Sequence, residues 1–179
     1  MATFTKRVAV FQQKNNEWQE VAYHSLHEGS VNEVKWAPSY YGLRLFACSS
    51  DGNVSVLEVR GQAWCAQLYT LQDMSINSLA VERKSLLDDT VSNKLIQDNL
   101  DKEYPLVATG GKDRSVCLWK HNPKLGQYEK IVTHVAHKDA VRNVLWRKPW
   151  TACDYIELFS CSEVSIAYNL GRYSQASYY

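Results

Sequence analysis

The chain has 179 residues, 45% of them hydrophobic, which suffices for one domain with its own core. Its net charge of +1 excludes a strong field aimed at nucleic acid or an acidic membrane surface. No apolar run approaches the roughly 18 residues of a membrane-spanning helix, and the opening MATFTKRVAVFQQKNN is too short in apolar residues for a signal peptide. Cys48, Cys65, Cys117, Cys153 and Cys161 are odd in number and lack CxxC spacing, so they read as reduced thiols of a cytosolic or nuclear protein.

In chain order, 7–11 and 18–26 are alternating runs rich in β-branched and aromatic residues, which predict two strands. HEGSVNEVKW (27–36) predicts a strand carrying Val31, Val34 and Trp36. LFACSSDGNVSVLE (45–58) reads as a hairpin turning at Ser-Asp-Gly, and WCAQLYTL (64–71) as the strand after it. QDMSINSLAV (72–81) repeats the spacing of 27–36. The polar, unpatterned segment 82–105 predicts an insertion loop, with a short helix around Leu95 to Leu100. VATGGKDRSVCLWK (107–120) repeats the hairpin, with Asp113 on Asp51, and YEKIVTHV (128–135) follows as an outer strand. HKDAVRNVLW (137–146) repeats His27, Val31, Val34 and Trp36 as His137, Val141, Val144 and Trp146, and LFSCS (158–162) echoes LFACS (45–49).

His27 and Gln72 are 45 residues apart, and Gln72 and His137 are 65. Removing the insertion restores a period near 45, the period of a WD-repeat propeller blade. The expected fold is all-β: a partial WD-repeat β-propeller of about three to three and a half four-stranded blades of a six-bladed open propeller. Residues 7–11 and 18–26 end one blade, 27–71 form a blade, 72–135 form a blade with the 82–105 insertion, 137–168 form an incomplete blade, and 170–179 form an unmatched tail within an otherwise single domain, 1–169. A four-stranded sheet cannot cover both its faces, so sheets stack around an axis and bury them on one another. Val and Trp of the inner strands are then expected to fill the space between blades. The structural repeat positions are His27, Trp36, Ser49, Asp51, Asp113, Trp119, His137 and Trp146. In WD repeats a His, a strand hydroxyl, the hairpin Asp and a Trp join in one buried chain. Here each copy is incomplete, with Leu57 for Trp, Gln72 and Gly111 for His and hydroxyl, and no Asp after Ser162.

LHEGSVNEVKWAPSYYGLRLFACSSDGNVSVLEV and VATGGKDRSVCLWKHNPKLGQYEKIVTHVAHKDAVRNVLWRKP resemble the Sec-thirteen type of propeller over roughly residues 7–168. The run Trp36 to Gly52 and the run Gly110 to Lys120 carry the likeness, as does the polar insertion. That resemblance implies a non-enzymatic scaffold that stiffens an α-solenoid partner, a coat subunit or nucleoporin, in the COPII vesicle coat and the nuclear pore outer ring. It also implies peripheral membrane association through the coat, at the cytoplasmic face of the endoplasmic reticulum, on COPII vesicles and at the nuclear envelope, with no direct nucleic acid and no cofactor. Family propellers keep six blades open for a seventh from the partner. This chain lacks the flanking blades, so no docking residue carries over.

Rival chemistry is weak. The pairs His24/His27 and His134/His137 have HxxH spacing, but on a strand i and i+3 point to opposite faces, which argues against a metal. Cys48 and Cys161 read as core thiols with no base beside them. Gly110-Gly111 lacks the rest of a phosphate loop, and Lys112 and Arg114 flank a turn as solvated charges. The candidate partner-binding surface is the insertion, through Leu86, Leu87, Leu95 and Ile96. The alternative readings are a generic WD-repeat adaptor, such as a Seh-one type nuclear pore or nutrient-signalling subunit or a ubiquitin-ligase substrate adaptor, and an enzyme, for which no acid–base or nucleophile set is found.

Overall fold

A computed structural model of the chain describes residues 6–82, 104–135, 137–147, 155–163 and 168–174, with backbone alone for 155–156 and 168–174. The alternating runs become thirteen strands: β1 (Val8–Lys14), β2 (Glu17–His24), β3 (Val31–Trp36), β4 (Arg44–Ser49), β5 (Asn53–Arg60), β6 (Ala63–Thr70), β7 (Ile76–Val81), β8 (Val107–Gly111), β9 (Val116–Asn122), β10 (Gln127–His134), β11 (Val141–Arg147), β12 (Tyr155–Ser162) and β13 (Tyr168–Ser174). Among the described residues every pairing is antiparallel between chain neighbours, the meander that short hairpin turns produce.

The strands group into a two-stranded first sheet (β1-β2), a four-stranded second blade (β3-β4-β5-β6), a four-stranded third blade (β7-β8-β9-β10) and a three-stranded fourth sheet (β11-β12-β13). This is the all-β partial propeller that the repeat implies. β13 runs across residue 169, so five residues of the tail set apart above, 170–174, lie in a paired strand.

Period-two alternation sends each strand's apolar residues to two opposite faces, and the cores lie between sheets. Val8, Val10 and Ala22 of the first sheet meet Val31, Leu45, Ala47 and Leu57 of the second blade. On that blade's other face, Phe46, Cys48, Val54 and Val56 meet Ile76, Leu79, Val107 and Trp119. Ala108, Val116 and Leu118 then meet Val141, Val144 and Leu158 of the fourth sheet. Each fully buried Val, Leu or Phe contributes about 1.5–3 kcal/mol, so a blade removed from its neighbours loses most of what stabilises it.

The inner strands β3, β7 and β11 are joined by a repeated polar ladder. Each has a register shift after its first residue, at Val31/Glu33, Ile76/Ser78 and Val141/Asn143. A bulge of this kind re-aims the next side chains. The second-position amides reach the first carbonyl of the following inner strand: Asn32 Nδ2 donates to Ile76 O at 2.7 Å, and Asn77 Nδ2 to Val141 O at 2.9 Å. Third-position oxygens accept the fourth-position amide one blade on: Glu33 Oε2 from Leu79 N at 2.8 Å, and Ser78 Oγ from Val144 N at 3.2 Å. Backbone groups that a sheet's inner edge would leave open are thereby satisfied.

The hairpin turns recur in backbone as well as sequence. Lys6, Gly52 and Arg114 hold φ of +62°, +80° and +68° at equivalent positions. Only Gly52 has no room for a side chain there, since a Cβ would stand 2.0 Å from the backbone oxygen of Gln72. Gly52→Ala is therefore expected to cost about 2–4 kcal/mol through left-handed strain and overpacking, read by urea denaturation, whereas Arg114→Gly is expected to be nearly neutral.

Two expectations are corrected by the packing. Trp36 does not fill an inter-blade space and is 48% exposed, because the first sheet has no inner strand to cover it. Its counterpart Trp146 is partly buried and donates Nε1–H to Ala80 O at 3.3 Å. Cys48 is fully buried, but Cys161, at the same place in the fourth sheet, is only partly covered, since among the described residues no further sheet packs on it.

Candidate functional site

Two polar clusters fix the blades. At the hairpin end of the second blade, His27 stands between Asp51 Oδ2 (3.3 Å from Nδ1) and Ser55 Oγ (2.8 Å from Nε2). Asp51 Oδ2 also accepts the amides of Glu28 and Gly29, and Oδ1 that of Asn53, so one carboxylate orders both the turn and the entry to β3. Asp–His–Ser connectivity is that of a hydrolytic triad. Ser55, however, is 0% exposed and His27 3%, so no substrate carbonyl reaches the hydroxyl. The cluster is a structural network whose members satisfy one another.

The third blade splits the same network. Gln72 Nε2 replaces the imidazole and donates to Asp113 Oδ2 (3.1 Å) and Ser115 Oγ (3.3 Å), while Trp119 Nε1 donates separately to Thr109 Oγ1 (2.8 Å). In the fourth sheet His137 Nε2 meets Ser160 Oγ at 2.7 Å. The hydroxyls in these chains are therefore Ser55, Ser115, Thr109 and Ser160. Ser49 is buried and serves its own turn through the Asp51 amide at 3.3 Å. Ser162 stands at the equivalent place in the fourth sheet, two residues past Ser160.

The His24–His27 spacing also behaves differently from a continuous strand. β2 ends at His24, so strand parity does not govern 25–27, and the two rings lie 5.8 Å apart. No group of three or more metal-ligating side chains exists among the described residues. Burial, followed by the neighbouring His27, lowers the His24 pKa to about 4, and its Nε2 is buried without a hydrogen-bond partner. The folded state thus holds the neutral ring while the unfolded chain takes a proton near pH 6.5. Stability falls as pH drops from about 6.5 towards 4. His24→Gln is expected to flatten that dependence in urea denaturation compared at neutral and mildly acid pH.

The opposite end of the second and third blades carries a second cluster. Glu58 accepts from Arg44 Nε (2.7 Å), Arg60 Nε (2.6 Å) and Tyr104 OH (3.1 Å). Arg44 Cζ lies 4.1 Å over the Tyr104 ring, which stacks on His121 at 3.9 Å. Tyr128 and Tyr69 complete the group edge-on. Nearby, buried Glu82 accepts from Tyr41 OH (3.3 Å) and Leu106 N (3.2 Å), and its own amide donates to Leu106 O (2.9 Å). Glu82 opens the predicted insertion 82–105 and Tyr104 stands one residue before its end, so its stem is pinned to both blades. Leu86, Leu87, Leu95 and Ile96, and the helix expected near 95–100, lie outside the described residues. This clamp gathers residues as far apart in the chain as Arg44 and Tyr128, 84 positions, which no local pattern signals.

No family model matches the chain. It is 34% identical over 139 residues to "Protein transport protein sec13" of Emericella nidulans, covering 78% of this chain and 44% of that protein. The protein of the same name from Aspergillus clavatus is 36% identical over 140 residues, 78% and 46% of the two chains. "Protein transport protein SEC13" of Yarrowia lipolytica is 35% identical over 158 residues, 87% and 51%. The chain thus spans about half the length of the curated relatives it matches.

Proposed function

We propose that this chain, a Sec-thirteen type partial propeller by its sequence and its blades, is a non-enzymatic scaffold in protein transport. Its place is the COPII coat at the endoplasmic reticulum, where it supports an α-solenoid subunit, and the nuclear pore outer ring is a second location of the same kind. The observation that carries this reading is the 34–36% identity to protein transport proteins. The structure supports it in kind. The histidine–hydroxyl pairs are sealed in the interior, and the charged clusters join blades, so the chain's buried chemistry goes into rigidity. No helix among the described residues is long and apolar enough to cross a membrane, consistent with attachment through other coat proteins.

The test is replacement. In Yarrowia lipolytica cells depleted of their own SEC13 protein, a tagged copy of this chain is expected to co-purify with the coat's α-solenoid subunit and to restore secretory export in part. Absence from purified coats, with the tagged chain folded and abundant, would refute the reading.

A further inference from the structure

The outer edge of the second blade is unguarded. That blade has all four of its strands and a sheet packed on each face, so its outer rim is defined wholly within the chain. Its edge strand β6, AWCAQLYT, contains no charged residue and no proline. Its register with β5 runs from Asn53↔Thr70 to Arg60↔Ala63 without a break. The outer strands of the neighbouring sheets carry two common protections of an edge, charge and a bulge. β2 has Glu17 and Glu20 and a register shift at Val10/Phe11, and β10 has Glu129 and Lys130 and a shift at Lys130/Val132. An edge with neither protection is a template for a further strand.

The ladder fixes which backbone groups face outward. Arg60↔Ala63 closes the two-residue turn Gly61–Gln62, so it is the hydrogen-bonded pair of that hairpin. At the far end Leu71 N donates inward to Gly52 O at 3.3 Å. Inward and outward residues alternate in an antiparallel pair, so Trp64, Ala66, Leu68 and Thr70 turn N–H and C=O away from β5. None of the four has an outward backbone partner among the described residues. The same residues select the occupant. Pairing β6 antiparallel with a copy of itself about Gln67 sets Ala66 against Leu68 and Trp64 against Thr70. Each outward residue then meets another outward residue, small against large, and no like charges meet.

We propose that the chain self-associates through β6, two copies joining their four-stranded second blades edge to edge into one continuous antiparallel sheet. The contact is isologous, so it consumes both free edges and stops at two copies. It uses neither the faces of the blades nor their inner strands, and it therefore stands or falls separately from the transport reading. Main-chain bonds hold the pair with little apolar area buried, so it is weak and concentration-dependent.

Sedimentation equilibrium of the purified chain is expected to show a mass rising from 20.5 kDa towards twice that value over roughly a hundredfold rise in concentration. Ala66→Pro removes one outward N–H and no bond to β5, so it is expected to give a monomer with unchanged circular dichroism. Ala66→Glu and Leu68→Lys are each expected to weaken association. Together in one chain they place Glu opposite Lys in both symmetric pairs, and the double variant is expected to regain the dimer at low salt and lose it at high salt. A register slipped by two residues would set Glu against Glu, so this rescue reports the pairing itself. A wild-type chain monomeric throughout the range, a dimer indifferent to Ala66→Pro, or a double variant as weak as the single ones would overturn the proposal. If a variant fails to fold, amide exchange at Ala66 and Leu68 of the wild-type chain decides. Protection that rises with concentration supports self-pairing. Protection equal at every concentration means that a segment of the same chain covers β6, and no protection leaves the edge to a strand of another protein; either result refutes it.

Discussion

Phe46→Ala is expected to lower the unfolding free energy by about 3–5 kcal/mol, a large part of the roughly 5–15 kcal/mol that a domain of this size has. Phe46 is at 0% exposure in the core between the second and third blades, and its ring meets Tyr128 edge-on at 6.4 Å. The loss includes the transfer of the ring to water and the cavity left between two sheets that the polar ladder holds at fixed spacing. A matched control exists in the same chain. Phe159 has the same strand position, opposite Leu145 as Phe46 is opposite Lys35, but it is only partly covered, since among the described residues no further blade packs on it. Phe159→Ala is expected to cost about 1 kcal/mol or less. Equal costs for the two substitutions by urea denaturation would mean that inter-blade burial is not what stabilises the fold.

That contrast also separates what the sequence reveals from what it conceals. Val31, Ile76 and Val141, with Val34, Leu79 and Val144, are legible as inner strands because they touch other side chains, and apolar spacing records such contacts. The hairpin aspartates are legible because a tight turn needs their carboxylates beside free amides. The network hydroxyl is harder to place. Ser49 and Ser162 share a strand face with Ala47 and Ser160, and a period of two cannot tell a position from the one two residues away. Ser55 lies on a different strand altogether and replaces the hydroxyl that Ala47 cannot supply.

The ladder was hidden for a different reason. Glu33, Ser78 and Asn143 share no chemistry by name, yet Glu33 and Ser78 both accept a backbone amide of the next blade. A contact with the backbone constrains hydrogen-bonding capacity and leaves residue type free, so the repeat persists in geometry while it dissolves in sequence. Trp36 shows the converse case. Its identity is kept, but its environment is not, because the strand that would cover it is absent from this chain's own first sheet.

Glu58→Ala is expected to have an effect as large as Phe46→Ala, by an electrostatic route. Glu58 and Arg44 side chains are each 6% exposed, and their 2.7 Å pair crosses from β5 to β4 beneath Tyr104. Taking the carboxylate away breaks the buried Glu58–Arg44 ion pair, and removing one partner of a buried pair costs about 3–5 kcal/mol. Tyr104 OH and the half-exposed Arg60 lose their acceptor in the same step. Arg60→Ala alone is expected to cost about 1 kcal/mol or less, since its charge remains in reach of water. Glu58→Gln keeps the shape and an acceptor oxygen and should fall between the two. Burial pushes the Glu58 carboxyl up, but the hydrogen bond from Arg60 and the charge of Arg44 outweigh it and hold it below the ordinary glutamate range. The unfolded chain therefore binds the proton first on acidification, and the stabilisation present at neutral pH is lost as pH falls from the ordinary glutamate range through the lower folded value. Glu58→Gln should remove this component of the acid dependence while leaving the His24 component, which lies at higher pH, in place. Denaturation profiles of the two single variants and the double variant across both windows would separate them, and a Glu58→Gln profile superimposable on wild type below the glutamate range would show that the clamp is not anchored by this carboxylate.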